Sequence, residues 1–179
     1  MMHPLVKFFS ELPLFSGLSV EELNDLLRCI QPVSYQPNDV IFRQGDTGDA
    51  AYVVQSGTVA IYVRHPRHGR VLVTDLERGD VIGELALLDN GPRSASAIAS
   101  NVCELIRIDS KEFNELRAAL RPAPYKLMRG IALTICERLR DTNNRVTGIL
   151  EADSGKEEVS SEISEPTHWF RKLLPRSKR

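Results

Sequence analysis

The chain has 179 residues, enough for about one domain with a sizeable core. Apolar residues make up 42% and charged residues 26%, and the net charge of −1 excludes a protein drawn to nucleic acid or membrane by its overall field. Cys29, Cys103 and Cys136 are too far apart for a metal or cluster motif. Because there is no signal-peptide pattern and no apolar run near the roughly 18 residues of a membrane span, the sequence predicts a cytoplasmic protein.

The first zone, residues 1–30, is predicted to be helical. Pro4 suits the first turn of a helix, where its missing N–H is not needed. Ser19 followed by Glu22 has the spacing of a capping box, which opens a second helix. Apolar residues then recur at helical spacing, at Leu23, Leu26, Leu27 and Ile30. We therefore expect a pair of N-terminal helices that ends at about residue 30.

The second zone, residues 31–109, is predicted to be β structure. Short runs rich in Val, Ile, Tyr and Thr alternate with glycine turns. The predicted strands cover residues 40–42, 52–54, 58–63, 71–76, 96–99 and 103–108. Many short strands with glycine corners indicate a jelly roll. The predicted fold class is therefore α+β, an antiparallel β jelly roll (double-stranded β-helix) with N-terminal helices and a long C-terminal helix.

The third zone, residues 110–150, is predicted to be a short helix and a long one, separated near Pro122 and Pro124. The long helix carries an apolar seam with alternating steps of four and three, at Met128, Ala132, Ile135, Leu139, Thr142, Val146 and Ile149. Such a heptad pattern favours a homodimer through this helix. The alternative is that the seam packs only on the chain's own sheet.

The fourth zone, residues 151–179, has the composition of a tail. Acids dominate residues 151–165, and five bases without an acid follow in residues 168–179. Blocks of like charge are usually solvated and disordered, which is the prediction for this zone. Trp169 and Phe170 lie among the bases, so the alternative is that the basic tail docks on an anionic membrane or a partner groove.

The candidate binding chemistry lies in residues 83–95. After Gly83, one helical turn inside the β zone exposes the backbone N–H groups of Glu84, Leu85 and Ala86, and such groups favour an anion. Arg93, at the far end of the loop, can bind a phosphate through two hydrogen bonds. Glu84 then needs a donor such as a sugar hydroxyl. The alternative is that Glu84 and Arg93 form a plain surface ion pair.

These residues resemble the phosphate-binding cassette of the cyclic-nucleotide-binding domain family, to which the catabolite activator protein and the regulatory subunit of protein kinase A belong. The family pattern is G-E-L-A/G-L, a short loop and then P-R-S/T/A-A, and this sequence fits it without a gap. The resemblance extends over roughly residues 12–150. It implies that Glu84 holds the ribose 2′-hydroxyl and Arg93 the cyclic phosphate. The same resemblance implies an anion cradle at Gly83, Leu85, Ala86, Ser94 and Ala95, and an apolar wall at Val73 and Leu76.

Recognition of the base is assigned to the long helix. The stretch 138–146 resembles the part of the catabolite activator type that reaches the adenine amine, which implies Thr142 and Asn143 as base contacts. A shift of one residue would bring in Asp141 instead, and Thr142 could simply be a polar seam residue that fixes helix register. Ser94 does not distinguish cAMP from cGMP. The expected ligand is cAMP, with cGMP as the alternative, and no cofactor is expected.

Other classes of protein fit less well. A jelly-roll metalloenzyme would need clustered ligands, but His65 and His68 flank a predicted hairpin tip and no nucleophile lies beside a base, so no enzymatic activity is expected. The acidic and basic blocks after residue 150 lack the two amphipathic helices and turn of a DNA-binding domain, so none is expected there. The sequence therefore predicts a cyclic-nucleotide sensor that acts on a separate, unidentified protein effector. A dimeric scaffold with a degenerate ligand site is the alternative, which the intact Glu84 and Arg93 disfavour.

Overall fold

The computed structural model describes residues 3–153, without the side chains of residues 141, 145, 146 and 148–153. In chain order its helices and strands are α1 (Pro4–Ser10), α2 (Val20–Leu26), β1 (Ile30–Tyr35), β2 (Val40–Phe42), β3 (Ala50–Ser56), β4 (Val59–His65), β5 (Gly69–Leu76), β6 (Val81–Ile82), β7 (Ser96–Ala99), β8 (Cys103–Asp109), α3 (Ser110–Ala118) and α4 (Pro122–Asp153). The chain divides into two compact units, Met1–Cys136 and Glu137–Arg179, and every named strand lies in the first.

The strands form two four-stranded antiparallel sheets. The first has the order β1-β8-β3-β6 and the second β2-β7-β4-β5, so strands distant in sequence lie side by side in both. Alternate residues of the two sheets, such as Tyr52 and Leu105 in the first and Val59 and Ala97 in the second, are buried in one apolar cluster between them. This arrangement confirms the predicted jelly roll with N-terminal helices and a long C-terminal helix.

The helices of the first unit cover the other face of the first sheet. Val53 and Ile106 project from this face into a second apolar cluster, which they share with Phe9, Phe15 and Leu127. The predicted capping box is present at α2, where the Ser19 amide donates to Glu22 at 2.7 Å and the Glu22 amide donates to Ser19 at 3.3 Å. Such reciprocal bonds satisfy two donors that the start of a helix leaves without partners.

The predicted end of the N-terminal helical zone is wrong at Ile30. The α-helix ends at Leu26, a 3-10 turn follows at Leu27–Cys29, and Ile30 opens β1 opposite Ile108. The residue has helical spacing in the sequence, but pairing with the long strand β8 decides its conformation. Pro32 lies within β1, which is acceptable because β1 is an edge strand and needs no donor on its outer side.

The long helix α4 presents two different apolar stripes. Within the first unit its buried stripe consists of Ala123, Leu127 and Ile131. The predicted seam is offset from this stripe, since Met128 and Ile135 are only half-buried and Ala132 is exposed. The seam residues Leu139 and Thr142 of the second unit are also exposed. Dimerisation through the seam stays a prediction.

The described part of α4 extends past residue 150, to Asp153. No helix among residues 3–153 has the length and apolar character needed to cross a lipid bilayer. The predictions for the acidic and basic tail fall on residues 154–179, apart from its first three residues, and so lie outside the described residues.

Candidate functional site

The candidate site begins at a sharp turn after β6. Gly83 has a φ of +69°, in the left-handed region that favours glycine, and it directs the chain into a 3-10 turn at Glu84–Leu87. A Cβ atom at Gly83 would also collide with Nη1 of Arg93. Glycine is therefore required here both by the backbone conformation and by the close approach of the Arg93 side chain.

Arg93 is the centre of the site, because its guanidinium is buried and held from several sides. The residue is 5% exposed, and Nη1 donates to the carbonyl oxygens of Ala50 at 2.6 Å and Gly83 at 3.2 Å. Its Cζ lies 4.2 Å from the centre of the Phe42 ring, a cation–π contact. Nε is buried and has no partner among the described residues. The side chain is thus fixed in place while its Nε–H donor is unused.

A network of charges continues from Arg93 to the start of α3. Nη2 of Arg93 donates to Asp49 at 2.9 Å, and the second oxygen of Asp49 accepts from Arg107 at 3.0 Å. Arg107 also donates to Asp109 at 2.8 Å, and Asp109 caps α3 by accepting from the Glu112 amide at 3.0 Å. A continuous chain of ion pairs therefore joins the cassette arginine to the first turn of a helix.

The carboxylates of this network stay ionised at neutral pH. Burial acts to raise the pKa of Asp49, but hydrogen bonds and charge from Arg107, together with Arg93, outweigh it and leave the pKa lowered. Burial is likewise outweighed at Asp109, whose pKa is lowered by bonds from the backbone of α3 and from Arg107. The same pairs raise the pKa of Arg107 against the effect of its own burial.

The remaining predicted cradle residues lie at the two ends of the same loop. Glu84 is half-buried in the 3-10 turn, Leu85 is exposed, and Ala86 is buried with its amide donating to Gly83 at 3.1 Å. At the other end Ser94 is exposed and Ala95 half-buried. The structure brings these residues together with Arg93 in one segment, as the sequence pattern implies, and their roles towards a ligand stay predictions.

The two residues predicted to form an apolar wall differ in burial, and their assignment to the wall stays a prediction. Leu76 lies opposite Val59 and packs against the cluster between the sheets, together with Ile61. Val73 is 57% exposed and lies outside that cluster. The β4–β5 ladder has a register shift at this point, where Ile61 faces Thr74 and the next residue, Tyr62, faces Leu72, so that Val73 has no residue opposite it.

The predicted base contacts lie in the second unit. Thr142 and Asn143 are exposed residues of α4, and the Thr142 hydroxyl donates to the carbonyl of Arg138 at 2.8 Å. This bond is the usual local one for a threonine within a helix. It neither requires nor prevents contact with a base, so these assignments stay predictions.

Asp49 is a site residue that sequence reasoning missed. Its only sequence signal is an acid placed directly before the apolar run 50–54 at the start of β3.

Among the described residues no group of three or more His, Cys, Asp or Glu side chains is arranged to hold a metal ion. Burial raises the pKa of the Cys29 thiol to about 12, which keeps it protonated.

Comparison with known proteins identifies the domain that contains this site. Residues 32–119 match the family described as "Cyclic nucleotide-binding domain". The chain is 35% identical over 131 residues to the cyclic AMP receptor protein of Thermus thermophilus, covering 73% of this chain and 59% of that protein. It is 32% identical over 109 residues to a cAMP-dependent protein kinase regulatory subunit of Hypocrea atroviridis, covering 61% of this chain and 22% of that protein.

The fold comparison leads to the same family. The crystal structure of the Thermus thermophilus catabolite activator protein superposes with a TM-score of 0.67 at 33% identity, covering 76% of this chain and 62% of that one. The chain thus spans about three fifths or less of the length of these curated relatives. The matched segment contains residues 83–95 in full, and this chain carries a cyclic nucleotide-binding domain homologous to those of the catabolite activator and protein kinase A regulatory proteins.

Proposed function

We propose that the first unit binds a cyclic nucleotide, cAMP rather than cGMP, with the cyclic phosphate at Arg93. The observation that carries this proposal is the state of the Arg93 guanidinium, which is buried and oriented while its Nε lacks a partner. Leaving a buried charged donor without a partner costs roughly 1–3 kcal/mol, which a bound anion would recover. The names of the relatives, a cyclic AMP receptor and cAMP-dependent kinase subunits, support cAMP as the ligand.

Different residues of the cassette would contact the phosphate and the sugar. The phosphate would lie against Arg93 and the start of the 3-10 turn at Glu84–Leu87, where backbone N–H groups supply partial positive charge. The Glu84 carboxylate would accept a hydrogen bond from the ribose 2′-hydroxyl. Ser94, exposed beside Arg93, can add a hydroxyl donor. Thr142 and Asn143 would contact the base.

Binding would be transmitted through the ion pairs that begin at Arg93. A phosphate at this guanidinium competes with Asp49 for the same donors, and Asp49 shares its other oxygen with Arg107. Arg107 in turn holds Asp109, the N-cap of α3. The occupied site would thereby act on the helices that follow β8, and we propose that a homodimer passes this change to a separate protein effector.

Calorimetric titration with cAMP, cGMP and 5′-AMP tests the proposal. The wild-type protein is expected to bind cAMP more tightly than cGMP, and 5′-AMP least, because it lacks the cyclic phosphate. The substitution Arg93→Ala should cost about 2–4 kcal/mol of cAMP binding energy, because it removes charge-assisted bonds to the phosphate. Arg28→Ala, an exposed arginine of the N-terminal helices, serves as the matched control. Failure of the wild type to bind any cyclic nucleotide at millimolar concentration would refute the proposal.

A further inference from the structure

The outward face of the second sheet carries a cleft with three arginines, which we call the arginine cleft. It encloses about 430 Å³ and is lined by Arg43, Arg64 and Arg70 together with Gln44, Ser96 and Ile98. Strand alternation shows which side chains of the second sheet point to the outward face. Ile61 and Ala97 face each other and belong to the cluster between the sheets, so the next pair, Tyr62 and Ser96, faces outward.

Arg64 and Arg70 lie on the same outward face as Tyr62. Arg64 follows Tyr62 by two residues in β4, and the guanidinium of Arg70 lies 4.3 Å from the centre of the Tyr62 ring. Arg64 and Arg70 are also direct cross-strand partners in the β4–β5 ladder. Like charges placed directly opposite each other destabilise an antiparallel pair. The sequence thus places two cations at a position where strand pairing alone would favour opposite charges.

These cations have no acidic partner in the described part of the chain. Of the ion pairs formed between described side chains, none involves Arg43, Arg64 or Arg70. The nearby acid Asp46 accepts instead from the backbone amide of Arg43, at 2.9 Å. The cleft is therefore a local concentration of uncompensated positive charge on a chain whose net charge is −1.

The cleft is separate from the cassette. Phe42 packs towards the cluster between the sheets and carries Arg93 against its ring, whereas the next residue, Arg43, lines the outward cleft. The cleft also has a fixed polar rim. The Gln44 amide donates to Ser96 at 2.9 Å, and the Gln44 side chain accepts from the Arg64 amide at 2.8 Å. Side chains held in this way keep a binding group in position.

We propose that the arginine cleft is a second anion site, which binds the phosphate group of an organic phosphate. Guanidinium groups match phosphate oxygens through paired hydrogen bonds, and three of them around one cleft suit a group with more than one negative charge. A volume of about 430 Å³ is in the range of small-ligand sites. The half-buried Val40 and Ile98 give the cleft an apolar lining that can hold the organic body. The inference does not depend on cyclic nucleotide binding at Arg93.

Pyrophosphate is the first probe, titrated calorimetrically into four forms of the full chain. Wild type and Arg93→Ala should bind it equally, while the double variant Arg64→Gln/Arg70→Gln should bind at least tenfold more weakly. Lys7→Gln/Arg28→Gln removes the same charge from two exposed positions of the N-terminal helical zone and should behave as wild type. Pyrophosphate should raise the unfolding temperature of wild type and leave that of Arg64→Gln/Arg70→Gln unchanged. Without the probe, this double variant should unfold at no lower temperature than wild type, since it relieves the like-charge pair.

A second probe distinguishes a soluble phosphate from a lipid phosphate. Co-sedimentation is measured with phosphatidylcholine vesicles that contain or lack phosphatidic acid, for wild type and Arg64→Gln/Arg70→Gln. If wild type sediments with the vesicles that contain phosphatidic acid and Arg64→Gln/Arg70→Gln does not, the site is confirmed and its ligand is a lipid headgroup. If wild type binds pyrophosphate but does not sediment with these vesicles, the ligand is a soluble phosphate. The proposal is overturned if Arg64→Gln/Arg70→Gln binds both probes as wild type does, if neither probe binds wild type, or if Arg93→Ala alone abolishes binding. Cyclic nucleotide titrations of the same variants show separately whether the cassette functions.

Discussion

Arg93 and Asp49 form an ion pair of 2.9 Å in which the cation is buried and the anion is largely exposed, with side-chain exposures of 3% and 64%. The pair is therefore asymmetric. Arg93 depends on its surroundings for compensation of its charge, whereas Asp49 remains hydrated and is shared with Arg107. An anionic ligand that reaches Arg93 would compete with a solvated carboxylate, which can be displaced at modest cost.

Asp49→Asn should strengthen cAMP binding by roughly threefold to tenfold, because it removes a negative charge that competes with the phosphate. The contacts of Arg93 with Ala50, Gly83 and Phe42 remain and keep the guanidinium oriented. Calorimetric affinities of wild type and variant measure the effect. Asp75→Asn, an exposed acid of β5, is the control for the change in net charge. Weaker binding by Asp49→Asn would mean that Asp49 mainly orients Arg93.

Gly83→Ala should weaken cAMP binding much more than Gly69→Ala. Both glycines have left-handed φ angles, +69° and +67°, so both variants carry a similar backbone strain of roughly 1–2 kcal/mol. Only at Gly83 would the new Cβ collide with Arg93, since nothing lies within 4 Å at Gly69. Chemical denaturation and calorimetry separate the two effects. Similar affinity losses in both variants would show that strain, and not displacement of Arg93, is responsible.

Thr142→Ala should weaken cAMP binding modestly and affect cGMP less, if Thr142 contacts the base. Thr147→Ala is a matched control, because its hydroxyl makes the same kind of helix bond, to Asn143 at 3.0 Å. Titrations with both nucleotides provide the readout. An equal loss for cAMP and cGMP, together with a lower molecular mass in sedimentation, would instead indicate a weakened dimer.

Acid should remove the stability contributed by Asp49 and Asp109. Their pKa values are lowered in the folded state from an ordinary value of 3.8, so this contribution is complete above pH 3.8 and is lost as pH falls through the folded pKa values. Because Asp49 is largely exposed, its share should be below about 1 kcal/mol. Urea unfolding between pH 7 and pH 2.5 should show a shallower decline for Asp49→Asn/Asp109→Asn than for wild type. Parallel curves would show that the network contributes no pH-dependent stability.

Much of the strand pattern could be predicted because alternation is a local property. Residues 96–99 were predicted with the bounds that the structure has. The strand β3 is longer than its predicted segment, because Ala50 and Ala51 have a low intrinsic preference for strands and are held there by pairing with β8. The two-residue strand β6 is too short to show any alternation. Tertiary pairing determines these parts, and it leaves no local signal in the sequence.

In the candidate site, too, residues with a local sequence signal could be predicted, and residues placed by strand pairing could not. Glu84 and Arg93 could be predicted because they lie in one short segment with a recognisable spacing. Asp49 and Arg107 could not, since they reach the site by pairing of β3 with β8, and an ion pair across strands has no fixed spacing in sequence. The register shift beside Val73 in the β4–β5 ladder could not be predicted either, because such an irregularity of strand pairing has no fixed pattern in sequence.

The apolar cluster on the outer face of the first sheet determines which residues the domain needs in order to fold. Residues 32–119, the segment recognisable by similarity, exclude Phe9, Phe15, Leu127 and Ile131, all of which are fully buried in that cluster. A fragment cut at those limits would expose one side of its sheet to water and associate through it. The smallest unit that can fold on its own therefore extends from α1 into the first turns of α4. The helices supply part of the core of this domain and are not additions to a β domain that is complete without them.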